Sequence, residues 1–314
     1  MNTLFLSHPI ALRHEMGEGH PECPDRLRAI ERALEGETFQ TLMRETSPMG
    51  TAEQILRVHP EIYFTDLHEA APKSGYAMVD GDTTMNPFTM EAAMRAVGGA
   101  CLAVDEVMTG KSDNAFVGMR PPGHHAERST AMGFCFFNNA AIAARHAQAM
   151  HGAERVAIVD FDVHHGNGTQ DIFWGDKTVM YASTHQMPLY PGTGAKGETG
   201  EHGNIVNAPL RSGDAGEAFR EAMEAHVLPA LETFKPDLLI ISAGFDAHTR
   251  DPLANINLVE EDFSWVTARL MDVANKSCNG RVVSVLEGGY DLQGLALSAA
   301  VHIKRLMGMA SGLR

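Results

Sequence analysis

Short apolar runs alternate along this chain with longer stretches in which apolar side chains recur at three- and four-residue spacing. The sharpest run is Val156-Ala-Ile-Val159, whose length and β-branched content fit a strand buried on both faces. It leads into Asp160-Phe-Asp-Val-His-His165 and stops at Gly166-Asn-Gly168, which a tight turn explains. If the backbone stays extended past Val159, the two-residue period sends Asp160, Asp162 and His164 to one side and Phe161 and Val163 to the other. Two carboxylates and an imidazole then face one point at a strand's C-terminal end.

The same patterning predicts strands at residues 3–6, 115–119, 178–183, 236–246 and 282–286, and helices at 25–34, 51–58, 61–71, 89–108, 139–150, 260–276 and 292–307. Residues 214–234 read as one amphipathic helix kinked at Pro229, and residues 7–24, 75–87 and 187–194 as loops. Regular strand, loop, helix alternation predicts an α/β fold: a three-layer, open, mostly parallel sheet with right-handed crossovers and helices on both faces. In such a sheet the polar motifs at 120–125, 160–167, 244–246 and 287–290 emerge along one edge, where ligands bind.

Composition narrows the picture. The 314 residues contain no Ser/Gly linker, low-complexity run, charge block or repeat, so one domain over 1–314 is expected. Forty acidic against 25 basic residues give a net charge of −15, which argues against a nucleic-acid surface and bears mainly on solubility. The four cysteines are far apart and lack metal or disulfide-framework spacing, so free thiols in a reducing compartment are expected. No apolar run reaches the roughly 18 residues of a membrane span, and the N-terminus lacks the features of a signal peptide. A cytoplasmic protein with no membrane or nucleic-acid partner is expected.

Taken singly, the candidate residues have bland readings. A lone Asp-x-His is a solvated strand end whose acids cap the following helix, Asp82 is a turn acid bonding its own backbone, and a His-His loop is ordinary in a chain with 16 histidines. Phe134, Phe136 and Phe137 read as core, one of them lining an apolar tunnel being the sharper alternative, and Cys135 as a small buried hydrophobe. Convergence on one edge changes the weights. Asp162, His164 and Asp246 offer oxygen and nitrogen ligands suited to Zn²⁺ or Fe²⁺ and leave a position for a water whose pKa the metal lowers to roughly 7. His124 and His125, on a turn stiffened by Pro121 and Pro122, look like a general acid/base pair. Tyr290, on the Gly288-Gly289 turn, is placed to donate to a developing oxyanion. Metal-assisted amide or ester hydrolysis follows.

The motifs Arg120-Pro-Pro-Gly-His-His125, Gly133-Phe-Cys-Phe-Phe-Asn-Asn139, Asp160-Phe-Asp-Val-His-His-Gly-Asn-Gly-Thr-Gln170, Ser242-Ala-Gly-Phe-Asp-Ala247 and Glu287-Gly-Gly-Tyr290 stand in that order. Together they resemble the zinc-dependent histone deacetylase and acetylpolyamine amidohydrolase family, in its class II-like branch. The resemblance runs from His20 to the last helix and implies the arginase-deacetylase fold. It implies His125 as general base and acid, His124 as its electrostatic partner oriented by Asp160, and Asn167 behind His125 where class I members carry an aspartate. Asp160, Ser183 and Thr184 resemble a structural potassium site. Gly133, Phe134 and Tyr190 match residues lining an acyl-lysine tunnel, Leu253 its mouth, and Asp82 the region that contacts substrate backbone. Arg26 resembles the arginine of an internal acetate channel. The two-manganese arrangement of the arginase branch needs acids at the positions held here by Gly166 and His248, so one metal is expected.

The leading expectation is therefore a metal-dependent deacetylase acting on N-acyl-lysine side chains of a peptide or protein. Polyamine-specific relatives place a glutamate where Leu253 stands, which tilts the reading away from acetylated amines, although an acetylpolyamine or other small acyl-amide hydrolase is the alternative. A non-catalytic acyl-lysine binding protein is the more distant one. Zinc is the expected cofactor, with Fe²⁺ in its place as the alternative and K⁺ structural; a homo-oligomer is left open.

Overall fold

The computed structural model describes residues 1–310. The chain opens with β1 (Thr3–Ser7), α1 (Asp25–Ala33), β2 (Met43–Thr46), α2 (Ala52–Leu56) and α3 (Glu61–Ala70). A small antiparallel pair, β3 (Ala77–Met78) and β4 (Thr84–Met85), precedes the long α4 (Thr89–Met108). Then follow β5 (Asn114–Val117), α5 (Asn139–His151), β6 (Val156–Asp160), α6 (Asn167–Phe173), β7 (Val179–Gln186) and β8 (Ile205–Leu210). The remainder comprises α7 (Gly216–Ala222), α8 (Leu228–Phe234), β9 (Leu238–Ala243), α9 (Glu260–Ser277), β10 (Val282–Leu286) and α10 (Leu292–Leu306).

Eight strands form one sheet in the order β2-β1-β5-β10-β9-β6-β7-β8, and every pairing in it is parallel. Alternate side chains of each central strand enter two different cores. Val156 and Ile158 of β6 pack with α4 and α5 on one face, while Ala157 and Val159 pack with α9 and α10 on the other. That two-sided burial is why β6, β9 and β10 read as uninterrupted apolar runs. β5, β10, β9 and β6 are contiguous, so the four polar motifs at their C-terminal ends lie side by side. No helix among the described residues is long and apolar enough to cross a membrane.

Several elements differ from expectation. β2 and β8 have no counterpart in the predicted strands; both are edge strands, β2 being mostly polar and exposed, and β8, though largely apolar, being interrupted by Asn207 and Pro209. Pairing with β8 also extends β7 to Gln186 through polar residues. Residues 75–87 contain the β3-β4 pair rather than loop alone. The predicted helix over 214–234 is α7 and α8 joined by a π turn at Met223–Val227; Pro229 lacks the N–H a continuous helix needs, and the wider turn before it accommodates the ring.

α4 packs its small residues directly on the loop before α2. A Cβ on Gly98 would collide with the Pro48 carbonyl and lie 2.6 Å from Gly50 N. Alanine is favoured over glycine in a helix by about 1 kcal/mol, but here rigid backbone fills the space. Gly98→Ala therefore destabilises the protein, by about 1–3 kcal/mol, read from the urea midpoint; a raised midpoint would contradict this packing.

Candidate active site

β6 ends at Asp160, yet its alternation persists: Phe161 and Val163 enter the core, and Asp160, Asp162 and His164 turn to the other side. Asp160, Asp162 and Asp246 are fully buried, and backbone amides are aimed at each. Asp160 Oδ1 accepts from Asp162 N at 3.1 Å. Asp162 accepts from His164 N at 2.9 Å and from Gly288 N at 2.8 Å. Asp246 Oδ1 accepts from Val163 N at 2.8 Å. These bonds tie the end of β6 to the turns after β9 and β10.

Asp162, His164 and Asp246 each offer one ligand atom, all within 4.8 Å of one another. A Cβ at Gly288 would collide with Asp246 Oδ2 and one at Gly244 with Asp162 Oδ2, so bare backbone lets the carboxylates close up. Two hard oxygens and one imidazole nitrogen fit a divalent cation such as Zn²⁺ or Fe²⁺. Burial opposes charge on all three side chains. His124 and His164 nevertheless hold Asp162 well below the usual carboxylate range. Burial and the Asp162 charge push Asp246 up to about 7. Burial also works against the His164 imidazolium, but the two carboxylates, 3.3 and 3.0 Å from Nδ1, raise it to about 10.

The tandem histidines follow β5. Arg120, which opens their loop, is fully buried and bonds both oxygens of Glu22. His124 Nδ1 lies 2.9 Å from Asp160 Oδ2. Burial opposes its protonation, but Asp162 and Asp160 prevail and raise it well above the ordinary histidine value. His125 goes the other way: burial, then the neighbouring His124 and His164 charges, lower it well below that value. His125 Nδ1 donates to Asn167 Oδ1 at 2.8 Å. The Asn167 amide is oriented by its own donation to Glu127 Oε1 at 2.8 Å. His125 is thus a neutral imidazole whose Nε2 keeps its lone pair.

A cavity of about 220 Å³ reaches this group, lined by Asp82, His125, Gly133, Phe134, His164, Leu189, Tyr190, Leu253 and Tyr290. Gly133 and Phe134 both adopt left-handed backbone, φ 56° and 71°. Their amides are held by Asp82 Oδ1 at 3.2 Å and Thr83 Oγ1 at 3.0 Å, which stabilises a conformation that phenylalanine rarely adopts. Asp82 therefore spans two loops, and the expectation of a purely local turn acid is corrected. Phe134 meets the Tyr290 ring edge to face at a centroid distance of 5.9 Å, whereas Phe136 and Phe137 are core. Tyr190 packs edge-on against His125 at 5.2 Å. Burial, opposed by the Arg26 guanidinium and reinforced by Asp246 and Asp162, keeps Tyr290 protonated. Arg26 holds its turn through the carbonyls of Gly289 and Glu287 at 2.6 and 2.5 Å.

Around Asp160, the strand register sets Ser183 directly opposite it. Ser183 Oγ bonds His185 Nδ1 at 2.8 Å, and Thr184 Oγ1 is buried without a hydrogen-bond partner. Among the described residues one further group could hold a metal, Asp105 of α4 with His146 and His151 of α5. Both imidazoles bond Asp105 Oδ1, but Arg57 donates to His146 Nδ1 at 2.7 Å, which keeps the proton on Nε2 and closes that nitrogen to a cation. Sequence reasoning passed over Leu189, Asp251 and the Glu287 side chain. Asp251 accepts from Tyr290 N at 2.7 Å and from Leu253 N at 3.0 Å; its place beside Leu253 was the only signal.

A buried carboxylate and histidine cluster at the C-terminal edge of a parallel sheet, with an apolar cavity above it, has clear relatives. Residues 20–306 match the histone deacetylase domain family. A histone deacetylase-like amidohydrolase of Pseudomonas aeruginosa is 40% identical over 302 residues, which cover 94% of this chain and 79% of that protein. A probable deacetylase of Archaeoglobus fulgidus is 38% identical over 300 residues, 94% and 83% of the two chains. Among solved structures, the HDA15 HD domain matches with a TM-score of 0.93 and 38% identity, over 99% of this chain and 89% of that one. The chain belongs to the histone deacetylase family, and its fold is the arginase-deacetylase fold.

Protons compete for the Asp162, His164 and Asp246 group. Because His164 is raised to about 10, a cation displaces its proton throughout the neutral range. Apparent divalent-metal affinity therefore rises about tenfold per pH unit between roughly pH 7 and 9, and more steeply below as Asp246 also protonates. Competition against a chelator at several pH values measures this; a flat profile would contradict the assigned charges.

Proposed function

We propose that this chain is a metal-dependent deacetylase that hydrolyses the amide of N-acyl-lysine side chains in a peptide or protein. The observation that supports this best is the cavity. Phe134, Leu189, Tyr190 and Leu253 make its walls, and His125, His164 and Tyr290 are the polar groups at its catalytic end. Apolar walls desolvate a linear methylene stem, and a few convergent polar groups receive the acyl amide beyond it.

The chain's own residues then divide the work. As water attacks the acyl carbon, the new carbon–oxygen bond forms while the water proton passes to His125 Nε2. The carbon–nitrogen bond breaks as a proton returns from His125 to the amine, giving a carboxylate and a free ammonium. Tyr290 donates to the oxyanion, an effect worth about 3–4 kcal/mol where such donors have been removed. The His124 imidazolium, held by Asp160, adds positive charge beside the reacting atoms. A divalent cation on Asp162, His164 and Asp246 supplies Lewis acidity and acidifies water when bound. Zinc or Fe²⁺ suits that donor set. We assign Asp160, Ser183 and Thr184 to a structural K⁺ site, a reading supported by the register of β6 and β7 and by the unpartnered Thr184 hydroxyl.

Asp82 supports a second reading. Its carboxylate lines the same cavity and could receive the distal ammonium of an acylated polyamine. kcat/KM of the metal-loaded protein on an acetyl-lysine peptide and on N-acetylputrescine, each beside a chelated control, separates the two. Peptide preference lost on chelation is the expected result. Polyamine preference would favour the second reading, and turnover of neither substrate by metal-loaded protein would sink both.

Three variants test the assigned roles. Tyr290→Phe and His125→Ala keep metal content and fold while losing activity by about 10²–10³-fold. Asn167→Asp places a carboxylate behind His125, which favours the imidazolium and raises its pKa. The base form is then lost at higher pH, so the acidic limb of the kcat/KM profile moves up by about one unit or more; an unmoved limb would remove His125 from that role.

A further inference from the structure

Glu287 is a buried acid that the mechanism above leaves without a task. It is fully buried at the first position after β10. Its Oε2 accepts from Gly123 N at 2.7 Å and from His124 N at 3.1 Å. Oε1 accepts from the Ser242 hydroxyl on β9 at 3.1 Å. The backbone of the same residue is equally committed: its N–H donates to Ala243 O at 2.9 Å and its carbonyl accepts from Arg26. One residue, the first of the turn that carries Tyr290, thus binds the histidine loop by its side chain and β9 and Arg26 by its main chain.

We propose that Glu287 is a positioning residue whose side-chain oxygens clamp the Gly123 and His124 amides, fixing the tandem-histidine loop against the Tyr290 turn. Gly123 explains why a clamp is needed. The loop runs so close to α5 that a Cβ there would lie 2.6 Å from Asn139 N and 2.7 Å from Phe137 O, and Gly123 and His124 are both buried, which keeps their amides from bulk water. Without an acceptor they would be orphaned in the interior, at about 1–3 kcal/mol each, and the loop would relax toward other partners. Ser242 fixes the remaining oxygen and with it the carboxyl plane. Burial raises the Glu287 carboxyl to about 7; either protonation state keeps an acceptor oxygen for the two amides. The clamp therefore works through shape and acceptor geometry, and glutamine can serve in it.

Hydrogen exchange of the peptide spanning residues 118–126 and steady-state kinetics of metal-loaded protein test this in Glu287→Ala, Glu287→Asp and Glu287→Gln. Alanine removes the acceptor, and aspartate falls one methylene short. Both are expected to speed exchange of the Gly123 and His124 amides at least tenfold and to lower kcat about 100-fold with little change in KM. Glutamine is expected to restore both readouts to within a few-fold of wild type. Wild-type exchange and kcat in Glu287→Asp, or a glutamine variant as impaired as the aspartate one, would overturn the proposal. If alanine prevents folding, the aspartate and glutamine pair carries the comparison. The rate arm rests on the deacetylase reading, but the exchange arm does not: a wild-type protein inactive on every acyl amide would sink that reading while exchange still decides the clamp.

Discussion

Crowding Asp160, Asp162, Asp246 and Glu287 into one buried cluster costs several kcal/mol of hydration per ion, and the architecture around the site is arranged to offset it. All four side chains are fully buried. Each receives at least one backbone amide, and Asp160, Asp162 and Asp246 also face His124 or His164. Strand ends lying side by side aim these amides into one small volume. The contiguous β5, β10, β9 and β6 supply those ends, because parallel strands all deliver their C-terminal turns to one edge.

The same crowding differentiates two adjacent histidines of identical intrinsic chemistry. His124 faces two carboxylates and is held protonated, while His125 faces the amide of Asn167 and two neighbouring cations and is held neutral. One residue of backbone separation becomes a division between fixed charge and proton acceptor. Glycines carry the cost of closeness here: Gly244 and Gly288 leave no side chain between the carboxylates. The cavity wall is built on a comparable economy, with the left-handed Gly133-Phe134 pair held by the Asp82-Thr83 turn.

Much of this was legible beforehand. The central strands stand out because two-sided burial leaves no polar face, and the residues of the site stand out because they sit at the ends of those strands. The edge strands β2 and β8 were not legible, since β2 is mostly polar and β8 carries a proline that argues against a strand. Leu189 and Asp251 were likewise hidden, as neither stands at the end of a predicted strand; each matters through what the fold places beside it.

The sequence by itself determined the alternating α/β architecture, the family, and the inventory of carboxylates, imidazoles and tyrosine, because periodicity and motif spacing are local properties of the chain. It also made a shared side for Asp160, Asp162 and His164 the expectation for an extended backbone, and the structure settled that the alternation continues past the end of β6. Only the tertiary structure decided which strands are neighbours, which histidine is charged, and that Glu287 reaches the loop of Gly123 and His124. Strand order comes from the packing of helices on both faces, and protonation from charges far apart in sequence; neither is encoded in any one stretch of the chain.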